Sequence, residues 1–276
     1  MLHPCEDPLI RVTALTRYYG DLCALDALSF SVAPGEILGL VGSNGAGKTT
    51  CLHCVSGIIP PTSGKVEIGG ANLLRSPVAA KRRIAFIPDT PLLFEYLTVW
   101  EHLQFVARVF QIENWEEPAR ALLAGFELED KAQVLPDELS RGMKQKLAIC
   151  QAFLHEPTAI LCDEPLTGLD PVGIRNMRTS LKLRASAGAA LVLSSHQLEL
   201  VSAMCDRVLI VNEGKTVVVG SMDEIRATYP QLRDGASLED VYMASIGRSD
   251  LAPAAETPAA ETPAPETPAT EATASE

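Results

Sequence analysis

Apolar residues recur along the chain in two patterns, both typical of β-strands. Four short runs are apolar without alternation, as in strands that are buried on both faces of a parallel sheet. They are EILGLVG (36–42), RRIAFIP (82–88), TAILCDEP (158–165) and AALVLSS (189–195). Three other segments alternate or carry β-branched residues, which predicts a small antiparallel sheet: LIRVTALTRYYG (9–20), ALDALSFSVA (24–33) and SGKVEIGG (63–70). Helical patterns lie between the buried runs, so we expect a doubly wound α/β core whose ligand lies at the carboxyl ends of the strands.

A helical segment interrupts this alternation between about residues 97 and 155. Thr98 and Glu101 match the capping box T-x-x-E. Apolar residues then recur at helical spacing: Val99, Leu103, Val106 and Phe110. We therefore predict a helical insertion in the core. Near the end of the chain, DRVLIVNEGKTVVVG (206–220) predicts a hairpin turning at 212–214, and SLEDVYMASIG (237–247) predicts a short helix.

Charge is distributed unevenly along the 276 residues, whose formal net charge is −12. Residues 250–276 repeat the pattern ETPAx and contain six acidic residues and no basic one. This composition cannot bury enough apolar surface to fold, so we predict a disordered acidic tail. The preceding part has 29 acidic and 23 basic residues, a difference of −6. The 47% hydrophobic content of the whole chain is ample for a buried core. Nothing here resembles the basic footprint of a nucleic-acid binder.

Compartment can be inferred from the apolar runs and the cysteines. No run approaches the roughly 18 apolar residues of a membrane span, and the start MLHPCEDPLI lacks the features of a signal peptide, so we expect a cytosolic chain. Seven cysteines, an odd number, suit a reducing compartment. Cys51 and Cys54 have C-x-x-C spacing, with His53 between them. They form either a metal or redox site or, as the absence of a second pair at ligand spacing favours, ordinary packing thiols.

The most informative stretch is GSNGAGKTT (42–50), which follows a buried run and fits the phosphate-loop pattern G-x-x-x-x-G-K-[ST]. The glycines let successive backbone N–H groups converge on phosphate oxygens. Lys48 would reach the β- and γ-phosphates, Thr49 would ligate Mg²⁺, and the following helix would point its positive end at the anion. A chance glycine-rich turn is the disfavoured alternative. The candidate nucleotide-binding residues are Gly42, Ser43, Asn44, Gly45, Ala46, Gly47, Lys48, Thr49 and Thr50.

A second motif, AILCDEP, ends a buried strand in two carboxylates. Beside a phosphate loop, Asp163 would hold Mg²⁺ directly or through water. Glu164, one residue nearer the γ-phosphate, is the candidate general base for an attacking water. Taken alone, the pair could instead be an acidic helix-capping turn. Together, the two motifs predict an ATPase.

The segment LSRGMKQ (139–145) stands where ATP-binding subunits of ABC transporters have the signature LSGGQ, with Ser140 and Gly142 matching and Arg141 and Met143 departing. The chain resembles that family from about residue 9 to 228. The resemblance implies a P-loop NTPase (RecA-like) core with an antiparallel β subdomain and the helical subdomain at about 97–155, within an ATP-binding domain at 1–230. A helical extension at 231–249 and the tail at 250–276 would follow. In the family, the signature of one subunit closes over ATP bound to a second.

The resemblance also implies roles for single residues. Tyr19 is similar to the aromatic residue that stacks on adenine, with Tyr18 as the neighbouring candidate. Asp170 ends GLD, which matches the loop that couples the paired sites, and His196 matches the switch histidine that orients Glu164. Asp89 stands where the family usually has Gln; it could approach Mg²⁺ or the water through an intermediary, but a carboxylate cannot donate as an amide does.

The function implied is ATP hydrolysis that drives a separately encoded membrane permease. Two copies of the chain would enclose two Mg-ATP at the cytoplasmic face of the inner membrane. IPDTPLLFEYLTVWEHL (87–103) and SRGMKQKL resemble Ecs-type and related exporters, so we expect export. The aromatics of FEYLTVW would contact the permease or form the core of the insertion, an alternative left open for Trp100. The competing function is a soluble, non-transport ABC ATPase that acts in nucleic-acid or ribosome-linked processes. The single cassette disfavours it, as does the spacing of fewer than about 100 residues between the phosphate loop and the signature, which leaves no room for a long coiled coil.

Overall fold

The computed structural model describes residues 7–229 and 235–247. Two sheets and a set of helices make up this part of the chain. The strands are β1 Ile10–Tyr19, β2 Leu22–Val32, β3 Ile37–Val41, β4 Ser63–Ile68, β5 Ala71–Asn72, β6 Ile84–Ile87, β7 Ala159–Asp163, β8 Ala190–Ser194, β9 Arg207–Asn212 and β10 Lys215–Gly220. The helices are α1 Lys48–Ser56, α2 Pro77–Lys81, α3 Val99–Phe110, α4 Glu116–Gly125, α5 Arg141–Leu154, α6 Pro171–Ser186, α7 Leu198–Met204, α8 Met222–Thr228 and α9 Leu238–Ile246.

The larger sheet has six strands in the order β10-β9-β3-β8-β7-β6. Strands β9, β3, β8, β7 and β6 pair in parallel, and β10 is antiparallel to β9. Every residue of β3, β7 and β8 is buried, because both faces of this sheet are covered, one by the smaller sheet and α1 and the other by helices. In register, Asp163 lies beside Ser194, and Ser194 lies beside Leu40 of β3. The carboxyl ends of these three strands therefore meet at one edge, where the phosphate loop begins.

The smaller sheet is antiparallel, in the order β2-β1-β4-β5. Its inner face packs with one face of the larger sheet and with α1 around fully buried leucines, including Leu15, Leu25, Leu38 and Leu52. Cys51 and Cys54 of α1 lie in the same core as free thiols, and burial raises the pKa of Cys54 to about 11. Such protonated, buried thiols pack as small apolar groups, the alternative that the sequence favoured.

Helices α3, α4 and α5 form the helical insertion and pack on the other face of the larger sheet. Thr98 and Glu101 make the predicted capping box: Thr98 Oγ1 accepts from the Glu101 N–H, and the Glu101 carboxylate accepts from the Thr98 N–H at 2.8 Å. Val99 and Leu103 are fully buried, while Val106 and Phe110 are half-buried. Trp100 packs on Trp115 with ring centroids 4.8 Å apart, so it belongs to the core of the insertion.

Beyond β8 the predicted hairpin and short helix are both present, as β9–β10 and α9. The helix α8 between them was not predicted; Ser221 caps it and Glu224 completes a capping box. The predicted tail at 250–276 lies outside the described residues, as do 231–234 and 248–249 of the predicted extension. Within the ranges described, no helix is long and apolar enough to cross a membrane.

Candidate functional site

The phosphate loop joins β3 to α1, and close packing explains its glycines. A Cβ at Gly42 would lie 2.4 Å from the Val211 carbonyl oxygen, and one at Gly47 would lie 2.7 Å from the Ala24 carbonyl oxygen. Gly47 also has a φ of 104°, in the region that favours glycine. The Ala46 N–H donates to the Ser43 carbonyl at 3.1 Å, which closes the turn. The loop is thus shaped by backbone from β2 and β9 as well as by its own sequence.

Lys48 begins α1 and folds back over this loop. Its Nζ donates to the carbonyls of Gly42 and Ser43 at 2.8 and 3.1 Å, and the residue is 8% exposed. Burial lowers the pKa of Lys48, while the carboxylates of Glu164 and Asp163 act in the opposite direction. The ammonium group is therefore positioned at the loop beside two carboxylates, where an anionic ligand can replace its carbonyl contacts.

Asp163 ends β7 and is buried. The Ser194 hydroxyl, at the end of the adjacent β8, donates to Asp163 Oδ1 at 2.6 Å. This contact fixes the carboxylate at the edge of the sheet and occupies one of its two oxygens. Thr49, another of the predicted metal ligands, is exposed in the first turn of α1, and Thr49 and Asp163 line the same cleft. Sequence reasoning missed Ser194, because a serine in an apolar strand end carries no signal of its partner.

Glu164 follows directly and is oriented by three neighbours. Its N–H lies 3.2 Å from both the carbonyl oxygen and Oγ of Ser194, and its backbone has a φ of 47°, which is unfavourable for a non-glycine residue. Glu164 Oε2 lies 2.9 Å from His196 Nδ1 and accepts from Ser195 Oγ at 3.4 Å. Strained backbone of this kind persists where surrounding contacts hold it, commonly at functional sites. The structure thus brings the predicted base and the predicted switch histidine together.

Tyr19, rather than Tyr18, faces the phosphate loop across the cleft. The guanidinium of Arg17 lies 4.7 Å from the centre of the Tyr19 ring, and the residue is 44% exposed. The cleft has a volume of about 750 Å³. Its lining also includes residues that the sequence analysis did not select: Leu22, Cys23, Ala24, Asp26, Glu213, Gly214 and Lys215. Gly214 joins the hairpin turn to the loop, since its N–H donates to the Ala46 carbonyl at 3.0 Å.

Eight predicted residues do not line the cleft directly. Gly42, Ser43 and Ala46 belong to the phosphate loop itself and His196 contacts Glu164, whereas Asp89, Ser140, Gly142 and Asp170 lie on other segments. Ser140 caps α5, and its Oγ accepts from the Met143 N–H at 3.2 Å. Asp170 caps α6 through the Gly173 N–H, and its other oxygen lies 3.2 Å from Lys146 Nζ. A Cβ on Gly142 would lie 2.7 Å from the Gly168 carbonyl, so the signature and the GLD loop touch. The chain therefore holds a phosphate site and, on separate segments, the surface formed by LSRGM and GLD.

Known proteins share extended similarity with this chain. The sequence profile described as ABC transporter matches residues 25–167. ABC-type transporter ATP-binding protein EcsA of Bacillus subtilis is 34% identical over 85% of this chain and 95% of its own length. Two relatives with opposite transport directions in their names also match: SkfA peptide export ATP-binding protein SkfE of Bacillus subtilis and methionine import ATP-binding protein MetN of Chlamydia pneumoniae. They are 35% and 34% identical, over 75% and 80% of this chain and 87% and 67% of their own lengths.

A solved structure described as an ATP-binding subunit of an ABC transporter superposes with a TM-score of 0.83 at 35% identity, covering 86% of this chain and 99% of the other. The predicted P-loop NTPase fold is thereby confirmed, together with the resemblance drawn from LSRGMKQ. Members of the family bind ATP and hydrolyse it. The phosphate loop, the paired carboxylates, the family profile and the shared fold lead to one conclusion: the chain belongs to the ABC transporter family, as an ATP-binding subunit whose ATP hydrolysis is coupled to transport.

Proposed function

We propose that the chain is the ATPase of an exporter, that two copies enclose two Mg-ATP, and that this dimer drives a separately encoded permease. The observation that carries the catalytic part is the 2.9 Å contact between Glu164 and His196 beside the phosphate loop. A positioned carboxylate and a phosphate cradle are the two elements that hydrolysis of ATP requires.

Within the cleft, the loop N–H groups and Lys48 bind the phosphates, and Tyr19 stacks on adenine. The donor set suits Mg²⁺, which prefers oxygen ligands: Asp163 keeps one oxygen free of the Ser194 hydroxyl, and the Thr49 side chain is exposed to the cleft. When bound, Mg²⁺ supplies neutralisation of the phosphate charge. A catalytically inactive binding module is not supported, because Lys48, Glu164 and His196 are all present in position.

Glu164 then acts as the base. Its carboxylate takes a proton from water, the water oxygen forms a bond to the γ-phosphorus, and the bond to ADP breaks with its electron pair leaving on ADP. The 2.9 Å contact with His196 and the weaker one from Ser195 keep Oε2 aimed while this proton moves. The His196 ring is largely exposed, so it can also meet the γ-phosphate of bound ATP.

Dimerisation is supported by what the cleft of one protomer lacks. Ser140 and the start of α5 present backbone donors away from their own phosphate loop. In a head-to-tail dimer these groups face the ATP of the partner subunit, where a helix N-terminus favours negative charge. ATP shifts such an equilibrium only by binding the closed dimer more tightly than the open one.

A docking surface for the permease is formed by the exposed apolar side chains after β6, namely Leu92, Phe94 and Tyr96, together with Phe105 of α3. Leu92 is 96% exposed and Tyr96 87%, and Phe94 packs edge-on against Phe105 at 5.1 Å. Aromatic and apolar groups of this kind form the centres of protein interfaces. Export is supported by the resemblance of this segment to exporter subunits and by the name of the SkfE relative.

Co-purification tests the proposal. The full chain, tagged at its N-terminus, is isolated from detergent-solubilised host membranes and its partners are identified by mass spectrometry. We expect a multi-spanning protein at near-equal stoichiometry. Recovery of soluble or nucleic-acid-bound partners alone would redirect the function to a non-transport ATPase. Reconstitution of the pair, with ATP on one side of the vesicle membrane, then distinguishes export from import by the side on which substrate accumulates.

A further inference from the structure

Two departures from the family pattern face each other in the structure. Asp89 lies two residues beyond the end of β6, and Arg141 is the first residue of α5, directly after Ser140. Asp89 Oδ1 lies 3.6 Å from Arg141 Nη2, an ion-pair distance. This oxygen is shielded from solvent and makes no hydrogen bond within residues 7–229 and 235–247. Arg141 is therefore the cation that offsets the negative charge of Asp89.

The same two segments are joined by a second, neutral contact. The side chain of Gln145, which is 1% exposed, donates from Nε2 to the Pro88 carbonyl at 2.9 Å. Pro88 immediately precedes Asp89, and Gln145 lies one turn beyond Arg141 on α5. The buried contact holds the loop after β6 against α5, and the half-exposed ion pair lies one turn away, at the start of the same helix.

Arg141 also contacts the GLD loop. A Cβ built on Gly168 would lie 3.3 Å from Arg141 Nε, and one on Gly142 would lie 2.7 Å from the Gly168 carbonyl. The guanidinium thus lies between the loop after β6 and the loop at 168–170. Three segments, which the sequence separates by about 50 and 27 residues, meet at this one side chain.

We propose that Asp89 is a positioning residue that acts through Arg141, and not a ligand of Mg²⁺. Asp89 does not line the cleft that contains Thr49 and Asp163. By holding Arg141, it sets the orientation of Ser140 and the first N–H groups of α5, which receive the ATP of the partner subunit. The inference rests on the proposed dimer. It also explains how a carboxylate serves at this position: Asp89 needs no donor, because Arg141 supplies the donors.

The test is a double-mutant cycle in the full chain, made in a Glu164→Gln background that retains ATP. The variants are Asp89→Asn, Arg141→Gln, both together, and the charge exchange Asp89→Arg with Arg141→Asp. We measure ATP-dependent dimerisation by analytical ultracentrifugation. Each single change weakens dimerisation about two- to fivefold, the range expected for a half-exposed pair. The double variant dimerises no more weakly than either single variant, and the charge exchange recovers at least half of the loss of dimerisation. The control is Asp137→Asn, which changes an exposed aspartate near α5 that has no ion pair in the described chain. Its dimerisation stays within twofold of that of the Glu164→Gln parent.

Two further readouts make the result decisive. In the ATP-free monomer, the same cycle followed by urea unfolding shows coupling that weakens from 50 mM to 1 M salt, as an ion pair requires. Asp89→Asn leaves the Mg²⁺ concentration needed for ATP binding unchanged; a tenfold rise would make Asp89 a metal ligand and overturn the inference. The inference would also be overturned if the losses of dimerisation in the two single variants multiplied in the double variant and the charge exchange recovered none of the loss. If the Glu164→Gln parent fails to dimerise with ATP, the proposed function fails and the inference fails with it, whereas a dimerising parent with uncoupled variants refutes the inference alone.

Discussion

At the scale of single residues, Glu164 shows how backbone and side-chain contacts combine. Ser194 holds its N–H, and His196 and Ser195 contact its carboxylate. The left-handed backbone conformation is the unfavourable part of this arrangement, and it turns the residue away from the line of β7. A side chain oriented in this way needs no rearrangement before it accepts a proton, which is why its geometry matters more than its exposure.

Replacement of this residue gives the first prediction. Glu164→Gln preserves size but removes the proton acceptor, so ATP hydrolysis falls by about 10²- to 10⁴-fold while ATP binding is retained. The measurements are phosphate release and equilibrium ATP binding. Glu199→Gln, an exposed glutamate on α7, is the matched control and keeps the parental rate. Parental turnover in Glu164→Gln would remove Glu164 from the role of base.

At the scale of elements, His102 attaches the loop after β6 to helix α3. The residue is fully buried, its Nδ1 donates to the Thr98 carbonyl at 2.8 Å, and its Nε2 accepts from the Phe94 N–H at 3.0 Å. The ring makes both contacts at once only when it is neutral, because Nε2 can accept from the Phe94 N–H only while it carries no proton. Burial lowers the pKa of His102, although the Thr98 carbonyl and Glu101 act in the opposite direction. The proposed docking surface is therefore held by an uncharged histidine.

A pH-dependent loss of stability follows. Because the pKa in the folded state lies below the ordinary value of about 6.5, protonation favours the unfolded chain. The contribution of His102 is complete above pH 6.5 and is lost as pH falls through the lowered pKa. His102→Gln is less stable than the parent at pH 7.5, by about 1–3 kcal/mol, and this difference narrows at pH 5.5. Urea unfolding at both pH values measures it. A stability difference between the parent and His102→Gln that does not change with pH would contradict a lowered pKa of His102. Burial also lowers the pKa of His155, but this residue is present in both chains and contributes equally to their stability.

A second contact between elements joins α5 to the GLD loop. Since a Cβ on Gly142 would lie 2.7 Å from the backbone oxygen of Gly168, Gly142→Ala forces the start of α5 and this loop apart. We expect ATP-dependent dimerisation in the Glu164→Gln background to weaken at least tenfold, since each 1.4 kcal/mol of misfit costs a factor of ten. Gly125→Ala is the control, because a Cβ on this helical glycine meets nothing within 4 Å. Equal dimerisation of the two variants would show that the contact at Gly142 does not matter for closure.

At the scale of the whole molecule, the proposed docking surface lies on the loop after β6 and on α3, apart from the residues that line the nucleotide cleft. We predict that Leu92→Ser with Tyr96→Ser reduces recovery of the membrane partner at least tenfold, because both side chains are almost fully exposed and fold stability does not depend on them. Co-purification measures the loss, and thermal unfolding verifies the fold. Val78→Ser, which removes an exposed apolar side chain from α2, keeps normal recovery. Undiminished recovery in the double variant would place the interface elsewhere.

Much of the fold and the phosphate site could be predicted because the signals are local. The loop at 42–50 and the carboxylates at 163–164 depend on residue types at short spacing, and the capping box at Thr98 depends on two residues three positions apart. Helix α8 was missed, since its seven residues are too few for a clear period. The choice between Tyr18 and Tyr19 also needed the structure, because neighbouring residues of a strand point to opposite faces and the sequence does not say which face is the cleft.

The sequence by itself determined the α/β class, the family and the chemistry of the phosphate loop, since these depend on residue order within a few turns or strands. Tertiary structure alone decided that Ser194 binds Asp163, that the hairpin at Gly214 closes the phosphate loop, and that Asp89 faces Arg141. The physical reason is the large separation along the sequence between the residues in contact. Each of these contacts joins residues that lie from 31 to 168 positions apart, and no local propensity carries information about which distant segment the folded sheet will place beside another.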